Sequence, residues 1–175
     1  MKNIKLLTAA GVMTALMAVF ANLSIPFAGL VLTLGVFGVL LTGLMLPPKY
    51  AVLSIIAYIM LGVAGVPVFA GFSAGAGALF GPTGGFLFAY PVMAVFASIG
   101  CINGITKASA PRILIGLIAA LTVCYIFGGG WYSLWANVNI SEALALTVLP
   151  FIPFDIAKAV LAVITAKAAA KIIPY

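Results

Sequence analysis

Of the 175 residues, 66% are hydrophobic and only 6% are charged, with a mean hydropathy of +1.36; no soluble domain of this length is built that way, so the chain reads as an integral membrane protein. Eight Lys and Arg stand against two acidic residues, and there is no His. The sequence contains no Gly-Lys-Ser/Thr phosphate loop and hence no ATPase site of its own, and its net charge of +6 serves as a topology signal rather than a nucleic-acid surface.

The start, Met1-Lys2-Asn3-Ile4-Lys5 and an apolar run to Ala21, mimics a secretory signal. Five more hydrophobic segments follow, so it is read as a retained first span. Span 1 covers residues 4–23 and ends before Ser24-Ile25-Pro26. It carries the small-residue pairs Gly11/Ala15 and Thr14/Ala18, four apart on a helix, which permit close approach either of a neighbouring helix in the same bundle or of another protein. Span 2 covers 29–46 and stops at Pro47-Pro48-Lys49. Span 3, 50–65, is short and precedes Pro67. A Gly-rich stretch, 66–85, holds six glycines and is too long for a tight turn. Such backbone is tolerated at membrane depth only when buried in protein or lining a cavity, so it reads as a lid over a pocket or as an uncharged surface connection. Span 4 covers 84–105 and span 5 covers 112–127, before Gly128-Gly129-Gly130-Trp131. Span 6 covers 141–170 and is interrupted by Pro150 and Pro153, each of which removes a backbone donor.

Lys2, Lys5, Lys49, Lys107, Arg112, Lys167 and Lys171 fall at the N-terminus, the 2–3 and 4–5 connections and the C-terminus. An even number of spans puts all of these on one side, and the other three connections carry no Lys or Arg. Both termini are therefore expected in the cytoplasm of a multi-pass plasma-membrane protein. Trp131, Tyr132 and Trp135 fall at the opposite edge, as an interfacial belt or as part of a ligand cavity. Cys101 and Cys124 sit in apolar stretches without companion ligands, so they read as small packing residues and no metal is expected.

The eighth cation, Lys158, lies three residues from Asp155 within span 6; the remaining acid, Glu142, is at the edge of its segment. Each buried charge costs roughly 2.5–3.5 kcal/mol on insertion scales, and such residues usually face a protein interior or a watery cavity. A break at the prolines places Asp155 in the first turn of a half-helix, near free N–H groups, with Lys158 on the same face. The pair either pins span 6 to its neighbours or binds a solute offering both donors and acceptors. Desolvation makes the first a poor source of stability.

Three blocks then stand out: Tyr58 to Gly71 with Gly62, Gly65 and Pro67; Gly81-Pro82-Thr83-Gly84-Gly85-Phe86; and Leu149-Pro150-Phe151-Ile152-Pro153-Phe154-Asp155-Ile156-Ala157-Lys158. With the segment from Leu34 to Gly43 and the small-residue span 1, they resemble the BioY family, the biotin-specific substrate-binding (S) components of energy-coupling factor (ECF) transporters. The resemblance implies an all-α membrane protein of six transmembrane helices with the S-component fold, residues 1–175 forming one domain. It also implies an outward-facing biotin pocket. Asp155 and Lys158 would contact the biotin head group, and Thr83, Gly84 and Gly85 would belong to the loop that closes the site. The apolar tail would lie among Phe69, Tyr58 and Tyr90. Gly11, Ala15 and Ala18 would face a transmembrane coupling protein, and two cytoplasmic ATPases would hydrolyse the ATP. No cofactor and no nucleic acid are implied. Two positions depart from the family pattern: Phe154 where many relatives have Gly, and Phe86 where Tyr is common. The rival readings are an S component for another vitamin, a stand-alone secondary carrier with Asp155 as its proton site, a membrane enzyme, and a purely structural subunit. The lack of His, of a Cys or Ser dyad and of metal ligands argues against an enzyme.

Overall fold

The computed structural model describes residues 2–27 and 30–170, so Lys171 of the charge pattern, and residue 29 at the expected start of span 2, lie outside the described residues. Helix α1 (Lys2–Asn22) ends where span 1 was expected to end. It buries Ala10, Met13, Met17 and Ala21 on one side, so it is part of the bundle. Thr14 faces inward too: its hydroxyl donates to the Ala10 carbonyl at 2.9 Å and lies 3.0 Å from the Ser54 carbonyl. Gly11 and Ala15 are exposed, with open space where a Gly11 side chain would stand.

The second segment departs from expectation. Residues 24–27 and 30–33 are not helical; β1 (Ser24–Phe27) pairs antiparallel with β2 (Leu30–Thr33), Ser24 opposite Thr33. A short apolar run does not by periodicity alone choose between strand and helix, and Pro26 is tolerated in an edge strand but disfavours a helix interior. Helix α2 (Gly35–Met45) is consequently only 11 residues long. Every one of its residues is buried, because α1, α5 and α8 pack around it.

Helix α3 (Pro48–Val63) starts with Pro48 in its first turn, where the missing N–H is no loss. The link to α5 contains a helical turn at 70–72 and a single-turn helix, α4 (Gly77–Phe80). Helix α5 (Gly84–Ile99) stops six residues before the expected end of span 4. Gly100 packs directly on the Arg112 carbonyl, and Gly104 turns the chain with a left-handed φ of 90°.

Helix α6 (Ala110–Ala136) is 27 residues long and runs straight through the three glycines expected to end span 5. Backbone that cannot bond to water stays in the helix, and the glycines serve close packing instead. A side chain on Gly128 would meet the Phe86 ring, and one on Gly129 would meet Leu144. Span 6 is broken as expected, into α7 (Ile140–Thr147) and α8 (Ile152–Ala169), bent by 53°. Pro150 lies in the break and Pro153 in the first turn of α8.

By length and composition, Asn3–Asn22 and Ala110–Ala136 can each cross a membrane, and the bent α7–α8 pair makes a third crossing. Gly35–Met45, Pro48–Val63 and Gly84–Ile99 are apolar but shorter, so among the described residues helix length alone marks two or three crossings.

Candidate functional site

The β1–β2 pair, the α3–α5 link and the α7–α8 break, none of which carries Lys or Arg, meet around a cavity of about 240 Å³. Leu32 and Thr33 of the hairpin form one wall, and Phe69, Ser73 and Thr83 of the α3–α5 link form another. Tyr132 near the end of α6 and Phe151 in the α7–α8 break complete the rim, and Asp155 and Lys158 lie among the lining residues.

The pair is the sole salt bridge among the described residues. Lys158 Nζ stands 2.9 Å from Asp155 Oδ1, with Lys158 and Asp155 side chains only 8% and 5% exposed. Asp155 opens α8, its N–H bonded to the Phe151 carbonyl at 2.9 Å. Its carboxylate turns across to α6, where the Tyr125 hydroxyl donates to Oδ2 at 3.1 Å. Both oxygens are thus held, yet a carboxylate has about four lone-pair positions and an ammonium three N–H bonds, so donors and acceptors remain for a solute.

Tyr58 and Tyr90 are also buried and line the cavity, and their hydroxyls have no hydrogen-bond partner among the described residues. Tyr58 meets Phe69 edge-on, ring centres 5.6 Å apart at 83°. Phe69 can sit there because Gly62 leaves room for its ring, which any side chain at 62 would strike. The chamber therefore has aromatic walls, two unsatisfied hydroxyls and one ion pair at its side, a suitable combination for a small amphipathic ligand.

The link between α3 and α5 is irregular but tied down. The Asn22 side chain accepts from the Phe72 N–H at 2.7 Å and donates to the Pro67 carbonyl at 3.3 Å. The Gly75 N–H bonds to the Gly62 carbonyl at 2.7 Å. Trp131 Nε1 donates to the Gly81 carbonyl at 2.8 Å. Gly65, Gly71 and Gly75 supply left-handed corners.

Of the expected ligand-site residues, Asp155, Lys158, Thr83, Phe69, Tyr58 and Tyr90 converge on the cavity. Gly84 and Gly85 do not line it. They form the first turn of α5, pressed against the Leu79 carbonyl and Trp131 respectively, so their lack of side chains lets the link and α6 approach. The aromatic trio divides: Tyr132 lines the cavity, Trp131 holds the link, and Trp135 is exposed. Both cysteines are buried, and Cys124 borders the cavity. Tyr125, Thr33, Thr147 and Phe151 were not anticipated; a tyrosine in the middle of an apolar span was the one available sign for Tyr125. Phe86, singled out only as a departure from pattern, also lines the cavity.

Residues 1–175, the full length, match the BioY family. The chain belongs to the BioY family. Its BioY relatives include the "Probable biotin transporter BioY" of Pyrococcus horikoshii, 42% identical over 153 residues, covering 87% of this chain and 88% of the relative. The "Biotin transporter BioY" of Thermotoga maritima is 38% identical over 157 residues, 90% of each chain. Among solved structures, the S-component for biotin from an ECF-type ABC transporter has a TM-score of 0.86 at 28% identity, over 97% of this chain and 92% of that one. The BioY assignment agrees with the three sequence blocks that carried the resemblance, and the shared fold makes this an S-component-like membrane protein. The fold described above is thus similar to that of a solved S-component for biotin over 92% of that chain.

Proposed function

We propose that this chain is the membrane-embedded biotin-binding (S) component of an ATP-driven ECF vitamin uptake transporter, non-enzymatic and dependent on partners for energy. The observation that carries the reading is the buried Asp155–Lys158 pair at the side of an aromatic cavity, in a member of the BioY family. The ureido ring of biotin offers two N–H donors and a carbonyl. Asp155 accepts from the ring nitrogens and Lys158 donates to the carbonyl, while Tyr125 keeps the carboxylate oriented. The thiophane ring and aliphatic tail lie among Phe69, Tyr58 and Tyr90. Thr83 stands at the rim of the closing loop, with Gly84 and Gly85 as its hinge-side support.

The cavity lies at the end without exposed Lys or Arg, while Lys5, Lys49, Arg112 and Lys167 fall at the other ends of their helices and Lys107 in the α5–α6 connection. The positive-inside rule then puts the cavity mouth outside the plasma membrane and both termini in the cytoplasm, with six crossings. The exposed Gly11 and Ala15, with half-buried Ala18 beside them, offer α1 as the surface for a transmembrane coupling protein, which two cytoplasmic ATPases would drive. A secondary carrier with Asp155 as proton site fits less well, because protonating Asp155 would strand the Lys158 ammonium in a buried place.

Calorimetry on the purified protein with biotin and a panel of other vitamins tests the proposal. Binding of biotin alone is expected; binding of a different vitamin, or of none, would overturn it. Biotin uptake by the chain reconstituted without ATPases would favour the carrier.

A further inference from the structure

Helix α6 rests on α5 and α7, and α8 rests on α2. The bond from Tyr125 to Asp155 joins α6 and α8 beside the cavity, and from there the two helices run antiparallel toward the cation-bearing end without closing on each other. Between them lies a second, apolar concavity of about 430 Å³. Leu114, Leu117 and Ile118 of α6 face Ile156, Val160 and Ile164 of α8 across it, and Lys167 is the one charged lining residue among the described residues. Leu114, Ile118, Val160 and Ile164 are each more than half exposed, so this groove opens on the lipid side.

Its length and charge both point to an occupant. The lining residues run from 110 to 121 on α6 and from 156 to 167 on α8. At roughly 1.5 Å per residue that is some 16 Å, close to half of a hydrocarbon core of about 30 Å, the depth of one leaflet. At the basic end, Lys167 is in the last turn of α8 and exposed Arg112 adjoins the lining residue Ile113 in the first turn of α6. Lys107 precedes them. None of the three has a carboxylate partner among the described residues, and the two acids of the chain are elsewhere. Asp155 is bonded to Lys158, and Glu142 opens α7 beyond the opposite end of α6.

We propose that this groove seats one anionic phospholipid, an acyl chain lying between α6 and α8 and the phosphate at Lys167 and Arg112. The lipid supplies both the missing apolar wall and the missing negative charge. A second copy of the chain docked here would bring its own Lys167 and Arg112 to the same edge, where like charges repel.

Native mass spectrometry of the purified full chain, with phosphatidylglycerol or phosphatidylcholine of the same acyl chains added, tests this. One retained phosphatidylglycerol per chain is expected, in clear preference to phosphatidylcholine. Lys167→Gln should reduce that preference about fivefold, and Lys167→Gln with Arg112→Gln should abolish it, because each cation near a lipid surface contributes a similar increment. Val160→Trp, which fills the groove and leaves the charges in place, should lower retention of both lipids. The lipid-free melting temperature of Lys167→Gln should match the parent, which separates a lipid effect from a folding defect. Equal retention of the two lipids, an undiminished preference in the double variant, or a lipid-free dimer mass would each overturn the proposal.

Discussion

At the cavity end, Asp155 and Lys158 are buried, bonded to each other and tied to Tyr125; at the other end Lys5, Lys49, Lys107, Arg112 and Lys167 are exposed, with no carboxylate partner among the described residues. The backbone differs in the same sense. The cavity end is built from a strand pair, a pinned glycine-rich link and a broken helix, whereas α2 and α3 are joined by little more than Leu46 and Pro47. A charge at the water boundary is solvated and needs no partner, but one inside the bundle must be neutralised where it stands. The first kind orients a membrane protein and the second builds a site.

The largest test of this contrast is Asp155→Asn. It removes a charge-assisted hydrogen bond of about 1.5–3 kcal/mol, so biotin affinity measured by calorimetry should fall ten- to a hundredfold while the protein still inserts and purifies. Unchanged affinity would remove Asp155 from the site. Lys107→Gln at the opposite end should leave biotin affinity as it was, and a comparable loss there would erase the distinction between the two ends.

Gly85→Leu addresses the inward-folded backbone. A side chain at 85 collides with Trp131 and the Phe127 carbonyl, and overpacking of this kind costs about 1–3 kcal/mol. A thermal melt should shift down by several degrees. A melting temperature equal to the parent would mean that Trp131 moves freely, and the pinned link would lose one of its ties.

Tyr125→Phe is a smaller step, deleting one hydroxyl donor to Asp155. A loss of about 1 kcal/mol, or some fivefold in biotin Kd, is expected. No change would show that Lys158 alone orients the carboxylate. Gly11→Leu should have almost no effect on stability or on biotin binding, since nothing stands where the new side chain would go. Co-purification with the coupling protein should nevertheless be lost, because the close approach at a small-residue face is blocked. Persistent co-purification would place the partner elsewhere.

Much of this was legible in the residues. The ends of span 1, the break at Pro150 and the meeting of Asp155 with Lys158 follow from proline chemistry and the i,i+3 geometry of a helix. The pairing of β1 with β2 was not legible, because a short apolar run shows neither the alternation of a strand nor the stripe of a helix. Gly128, Gly129 and Gly130 misled for a related reason. In water such a run breaks a helix, but against Phe86 and Leu144 it permits contact. Gly84 and Gly85 were expected in the loop that closes the site; they form the first turn of α5, packed against the Leu79 carbonyl and Trp131.

Composition by itself marked the chain as a membrane protein, and the placement of seven cations sorted its connections into two expected sides, because transferring charge and backbone into lipid costs enough to mark the sequence directly. The tertiary structure alone decided that Tyr125 completes the ion pair, that Tyr58 and Tyr90 bring unpaired hydroxyls to the same chamber, and that α6 and α8 part to leave a groove. Those outcomes depend on which helix packs on which, and side chains 30 residues apart, as Tyr125 and Asp155 are, meet only once the helices have packed.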